Sequence, residues 1–265
     1  MVEGVRKPAG PPQVFSGPLG GERRKAALSG GTLYLLPAAL GDTGWEAYLP
    51  PATRETACRL SHFVAENAKT ARAELKRIGH PTPLREMAIE QLPEKPSPAD
   101  IERLLAPAVA GHDLGVLSEA GCPGVADPGA LLVRRAHALG IRVKPLVGPS
   151  SLLLALMASG LEGQRFAFHG YLPAREPERG NRIAELERES RNRHQTQLFI
   201  EAPYRNDALL AALLSACRPE TRLCLATDLT LATESVLTQT VADWRRQPPP
   251  GLDRRPTVFL LLSAD

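Results

Sequence analysis

From Gly31 to Leu146, short apolar runs alternate with segments of helical period. That alternation commits the chain to a largely parallel, helix-covered sheet. The run Thr32-Leu33-Tyr34-Leu35-Leu36 stops at Pro37 and reads as a buried strand. His62 to Ala65 is a second strand, followed by a helix over 67–78 that Gly79 closes. A short strand is expected at 87–89. Ser97 has the character of an N-cap, with Pro98 at the first helical position and the helix running to about Val109. Leu114 to Leu117 is a strand, 128–139 is a helix ended by Gly140, and 142–146 is the next strand.

The second half is richer in strands. After the Gly148-Pro149 turn, a helix over 150–159 carries a serine N-cap and stops at Gly160. Strands are expected near 166–169, 197–200, 223–226, 236–240 and 257–262, with a charged helix over about 177–193 and another over about 206–216. This predicts an α/β fold of two domains, 31–148 with a mostly parallel sheet and 149–265 with a mixed one. Residues 1–30 are rich in Pro, Gly and basic residues, lack periodicity, and are expected to form a flexible tail.

Charge narrows the partners. Arg6, Lys7, Arg23, Arg24 and Lys25 against Glu3 and Glu22 give the tail the whole net charge of +3, so the rest of the chain is neutral. A nucleic-acid footprint is therefore not visible in composition and has to come from folding that gathers arginines on one face. Aromatic residues make up 5%, which argues against an aromatic stacking platform for single-stranded nucleic acid. Cys58, Cys122, Cys217 and Cys224 show no metal-knuckle or redox spacing, and the six histidines form no HxxxH or HxH pair, so no metal site is expected. The first ten residues lack the apolar core of a signal peptide. The longest apolar stretch, near 152–157, is far too short to span a bilayer, so a cytoplasmic protein without membrane association is expected.

Two turn-rich segments follow strands. Leu117-Ser118-Glu119-Ala120-Gly121-Cys122-Pro123-Gly124-Val125-Ala126-Asp127-Pro128-Gly129 packs three glycines and two prolines between a strand and a helix. Glycine lets backbone approach a ligand closely, and open α/β sheets bind ligands beyond the C-terminal ends of their strands. Glu119 and Asp127 add carboxylates suited to a ribose hydroxyl or an ammonium group. The competing reading is a tight connection with no ligand. In the second segment, Val147-Gly148-Pro149-Ser150-Ser151, free helix N–H groups and serine hydroxyls suit a carboxylate or phosphate, although an ordinary serine cap explains the same residues. The chain has no GxxxxGK[ST], no GxGxxG after a strand and no GxSxG, which excludes the commonest nucleotide-binding and hydrolase signatures.

The strings LSEAGCPGVADPG, VGPSSLLLALMASGL, RFAFHGYLPA and FIEAPYR resemble, in order and spacing, signatures of the tetrapyrrole methylase superfamily. Within it, the chain is most similar to the bacterial ribosomal RNA small-subunit methyltransferase I group, which methylates a ribose 2′-hydroxyl. The resemblance implies a class III methyltransferase fold with S-adenosylmethionine between two domains, usually in a homodimer, and ribosomal RNA as a partner. It assigns cofactor contacts to Pro37, to Ser118, Glu119, Ala120, Gly121 and Cys122, and to Ser150 and Ser151. Further contacts fall on Ile200 and Glu201, Ala226 and Thr227, and Pro256 and Thr257.

The chain departs from the family at three places. Pro37-Ala38-Ala39-Leu40-Gly41-Asp42 replaces P-x-G-N-L-x-D. Ala65-Glu66-Asn67-Ala68-Lys69-Thr70-Ala71-Arg72 replaces A-E-D-T-R. The last strand is expected where relatives continue into a small helical extension. These places border the acceptor rather than the cofactor, so a tetrapyrrole or other small molecule remains an alternative acceptor, as does a cofactor-binding protein without catalysis.

A ribose hydroxyl loses its proton during attack, and Glu66 and Asp127 are the candidate groups for orienting or removing it. Each has a structural alternative: a carboxylate at a helix N-terminus for Glu66, and an N-cap before Pro128 for Asp127. The helix over 177–193 carries Arg179, Arg182, Arg188, Arg191 and Arg193 among four glutamates. Either the arginines face RNA or they pair along a solvated helix.

Overall fold

A computed structural model describes residues 30–263. The expected tail lies outside the described residues, Gly30 excepted. The elements in order are β1 (Thr32–Leu36), α1 (Pro51–Ala57), β2 (His62–Ala65), α2 (Ala68–Arg77), β3 (Ala88–Gln91), α3 (Pro98–Val109), β4 (Leu114–Leu117), α4 (Gly129–Ala138), β5 (Arg142–Pro145) and α5 (Ser151–Ser159). There follow β6 (Phe166–Tyr171), α6 (Glu178–Arg193), β7 (Thr196–Ile200), α7 (Asn206–Ala216), β8 (Arg222–Thr227), β9 (Ser235–Thr240), α8 (Val241–Arg245) and β10 (Thr257–Leu262). Every strand and long helix read from the sequence is present, within a few residues at its ends.

Sequence reading missed α1 and α8. With seven and five residues, they are too short to display a helical period. Their start signals are nevertheless plain. Pro51 stands at the start of α1, and the Thr240 side chain accepts from the Asp243 amide at the start of α8. Ser97 and Asp100 form the full capping box at the start of α3, each side chain bonding the other's backbone amide.

The first sheet is all parallel, in the order β3-β2-β4-β1-β5. Right-handed crossovers in this order place helices on both faces. From β1 to β2 and from β2 to β3 the chain moves toward one edge, so α1 and α2 cover one face. Leu60 after α1, Leu75 of α2 and Ile78 at the α2 C-cap pack there on Leu36, Phe63 and Leu117. From β3 to β4 and from β4 to β5 it moves back, so α3 and α4 cover the other face. Leu104, Leu105 and Leu132 pack there on Leu33, Val64, Leu114 and Val116. Neighbours β1 and β4 thus send their chains to opposite sides, which opens a crevice beyond their C-terminal ends.

The second sheet, β6-β7-β10-β8-β9, is mixed: β6 and β7 are parallel and the remaining pairs antiparallel. One face packs Phe199, Phe259 and Leu223 under α6, α7 and α8. The other packs Leu198, Cys224 and Leu260 against Ala155 and Leu156 of α5. No helix among the described residues is long and apolar enough to cross a membrane.

Candidate active site

The crevice beyond β1 and β4 is closed on one side by a backbone clasp. Ala38 and Gly121 exchange both N–H···O bonds, at 2.9 and 3.1 Å, tying the loop after β4 to the turn after β1. Gly121 has φ +70°, a conformation L side chains rarely adopt, so the turn requires glycine here. The buried Ser118 hydroxyl is used inside the loop, donating toward the carbonyls of Ala120 and Gly121. The Cys122 thiol reaches the Pro149 carbonyl at 3.3 Å and joins this loop to the turn before α5. Burial pushes that thiol's pKa up, keeping it a neutral donor. Gly148 seats the same turn on Pro37: a β-carbon there would stand 2.5 Å from the proline Cβ.

These loops face the open side of the second sheet across a two-lobed cleft. An inner lobe of about 290 Å³ is lined by Glu66, Ser118 to Cys122, Val125 to Asp127, Ser150 to Leu152, Phe168, Tyr171 and Ile200. An outer lobe of about 380 Å³ shares Glu119, Ala120, Ser151, Tyr171 and Ile200, and adds Leu40, Glu201, Pro203, Ala226, Leu229, Pro256, Thr257 and Val258. Of the expected residues, fourteen line one lobe or both. Pro37 and Thr227 line neither. Pro37 is buried behind the clasp under Gly148, and the buried Thr227 hydroxyl pairs with that of Thr257 at 3.2 Å. Sequence reading missed Leu40, Val125, Ala126, Leu152, Phe168, Tyr171, Pro203, Leu229 and Val258. Most of these are apolar, and only the fold distinguishes an apolar cleft wall from core.

The polar groups divide by how fully the protein itself satisfies them. Glu201 is buried in the wall of the outer lobe, where its Oε1 accepts from the Ala202 amide at 2.8 Å and from Arg205 at 2.6 Å, which fixes the side chain. Asp127 Oδ1 accepts from the Gly124 and Gly129 amides at 2.8 and 2.7 Å. Pro128 rather than Asp127 occupies the N-cap position of α4, and the Asp127 carboxylate instead ties the Gly124 turn to the first residue of the helix. Burial raises its pKa, and the two amides oppose that. Ala126 beside it has φ +62°, an uncommon conformation for a residue with a β-carbon, found here in the wall of the cleft.

Glu66 is different. Asn67 caps α2, its side chain accepting from the Lys69 and Thr70 amides at 2.9 and 3.3 Å, so Glu66 precedes a helix that is already capped. Burial first, then the Asp127 and Glu119 carboxylates, raise the Glu66 pKa above its ordinary value, against a smaller opposing bond from the Glu119 backbone. Ser150 occupies the N-cap position of α5 but makes no side-chain cap bond. The α5 end therefore offers amides and a hydroxyl to the cleft, which suits a carboxylate.

Three of the five arginines of α6 pair with glutamates. Arg182 pairs with Glu185 and Arg193 with Glu189 along the helix, and Arg179 pairs with Glu176 just before it. No group of three or more His, Cys, Asp or Glu among the described residues could hold a metal ion.

Known proteins decide what this cleft belongs to. The family model for tetrapyrrole (corrin/porphyrin) methylases matches residues 47–244, which include both lobes' central loops. The chain is a tetrapyrrole methylase family member. It is 33% identical over 232 residues to a ribosomal RNA small subunit methyltransferase I of Xylella fastidiosa, covering 88% of this chain and 81% of that one. It is 32% identical over 220 residues to the enzyme of that name from Pseudomonas aeruginosa, covering 82% and 74%. Among solved structures, the methyltransferase CobJ shares the fold, with a TM-score of 0.58 at 19% identity over 88% of this chain and 95% of that one. The chain is accordingly an S-adenosylmethionine-dependent methyltransferase.

The cleft fits such a cofactor on its own chemistry. It joins an apolar outer lobe, a glycine-walled turn, an uncapped helix N-terminus and carboxylates in one continuous space.

Proposed function

We propose that the chain methylates a ribose 2′-hydroxyl of small-subunit ribosomal RNA in the cytoplasm, with its cofactor held between domains 31–148 and 149–265. The observation that carries this reading is Glu66, a half-buried carboxylate that lines the inner lobe with Asp127 and Glu119, where burial raises its proton affinity. The bacterial relatives' printed name supports the substrate class.

Bound S-adenosylmethionine supplies a methyl group on a sulfonium, open to direct displacement. The chain's residues do the rest. Leu40, Ala226, Leu229 and Val258 offer an apolar floor to the adenine, and Glu119, lining both lobes, suits a ribose hydroxyl or the ammonium group. The α5 N-terminus with Ser150 and Ser151 suits the carboxylate. Gly121 and Ala120 would wall the methionine end of the bound cofactor. Glu66 accepts the hydroxyl proton as the acceptor attacks, and Asp127 holds the loop that faces it. Alignment of the hydroxyl with the carbon–sulfur bond carries most of the acceleration, of which positioning can supply up to about 7–11 kcal/mol.

Mass spectrometry of small-subunit ribosomal RNA from a deletion strain tests this. One ribose methyl group is expected to disappear and to return when the gene is restored. RNA that keeps every methyl group overturns the reading.

The active species is proposed to be a homodimer. Leu153 and Met157 lie one turn apart on α5 and remain 51% and 79% exposed, an arrangement that a second copy would cover. Sedimentation is expected to give a dimer for the natural chain and a monomer for Met157→Asp. A natural chain that sediments as a monomer overturns the assignment.

A further inference from the structure

Strands β6 and β7 pair in register at Phe166 with Thr196, Ala167 with Gln197 and Phe168 with Leu198, and then lose register. The next pair is Tyr171 with Ile200, so β6 advances three residues while β7 advances two. The extra residue makes a bulge, and Gly170 within it has φ +64°. Side chains alternate between faces with a period of two, so one inserted residue moves every later side chain to the opposite face. Without the bulge, Gly170 would stand opposite Ile200, and Tyr171 would turn into the core beneath α6 and α7. With it, Tyr171 stands opposite Ile200 on the cleft side, and Leu172 takes the buried place beside Ile183 and Phe199.

The bulge thus delivers a tyrosine that is 62% exposed and lines both lobes of the cleft. The strand beneath it is held firmly. His169, inside the bulge, bonds Gln197 Oε1 at 2.6 Å and meets Arg182 Nη2 at 3.3 Å, and Phe168 faces the inner lobe. A ribose hydroxyl gives an enzyme little to grip. The nucleotide has to be held by its base, and a base flipped from its stack presents a flat π-face that an aromatic ring can cover. The low aromatic content of the chain argues against a row of such rings, but it leaves room for one ring that a bulge places.

Resting on the ribosomal RNA reading above, we propose that Tyr171 is the stacking surface for the base of the acceptor nucleotide. It acts as a positioning residue for RNA from the wall where the two lobes meet.

Stacking of one base is worth roughly 5- to 150-fold in binding. Tyr171→Ala is therefore expected to raise the KM for small-subunit ribosomal RNA transcribed in vitro by about tenfold or more. The dissociation constant for S-adenosylmethionine and the melting temperature should stay unchanged, and Tyr171→Phe and Tyr171→Trp should restore the KM. If the natural protein methylates this RNA and Tyr171→Ala leaves its KM unchanged, the proposal is overturned while the activity stands. A loss of cofactor affinity in Tyr171→Ala assigns the ring to the cofactor and also overturns it. A natural protein that methylates no ribosomal RNA overturns both readings together.

Discussion

Gly121→Val is expected to abolish S-adenosylmethionine binding while leaving most of the fold intact. Two effects act together at this position. The backbone at φ +70° resists any β-carbon, and a β-branched residue most of all, at a cost of order 1–3 kcal/mol. A β-carbon would also stand 3.5 Å from Leu40 and 3.7 Å from the Pro149 carbonyl, so the valine methyl groups beyond it must press into the clasp or the cofactor space. The strain falls on a loop in the cleft wall, not on the sheet, so circular dichroism should report native helix and strand content.

The readout is ligand-dependent melting. At cofactor concentrations about 100-fold above the dissociation constant, the natural protein should gain about 2.7 kcal/mol, and the valine variant nothing. Gly121→Ala carries the strain without the added bulk and should retain weakened binding. Normal stabilisation of Gly121→Val by the cofactor would remove this turn from the cofactor wall. Global unfolding of both variants would make the turn structural.

Glu66→Gln should bind S-adenosylmethionine normally and lose about 10²- to 10⁴-fold in kcat, the range for removing a positioned general base. Its pH profile separates a base from a bystander. The carboxylate must be ionised to accept a proton, and burial together with Asp127 and Glu119 raises its pKa above the ordinary glutamate value. The acid limb of kcat/KM should therefore lie at higher pH than for an ordinary glutamate and vanish in the glutamine variant.

Linkage gives the matching sign for stability. The folded state keeps this proton to higher pH than the unfolded chain, so this group's contribution falls as pH rises from the ordinary value through the raised one. Glu66→Gln should flatten that part of the stability curve. A glutamine variant with natural kcat and an unmoved acid limb would exclude Glu66 as the base. Asp127→Asn separates the neighbouring role: with Oδ1 committed to two amides, its main loss should be in stability of the loop rather than in the pH limb.

The residues themselves determined a good deal. Among the described residues, period-two and period-3.6 patterns, with Gly and Pro as punctuation, located all ten strands and six of the eight α-helices, because burial of one face or both leaves its period in the sequence. Density of Gly, Pro and acid in 118–129 marked one wall of the cleft, since few foldable segments need so many special backbone conformations at once.

Roles within the wall were decided only by tertiary structure. Ser118, Glu201 and Asp127 look alike to a sequence reader as polar cleft residues. Folding commits the first to backbone carbonyls, the second to Arg205 and one oxygen of the third to two amides, while Glu66, ahead of the helix cap taken by Asn67, meets only the Glu119 backbone. Arg182 and Arg193 of α6 were ambiguous until their glutamate partners were seen. Tyr171 was invisible as a site residue for a stricter reason. Which face of a strand a side chain occupies depends on register against its neighbour, and a single inserted residue in β6 reverses it without altering the identity of any residue that follows.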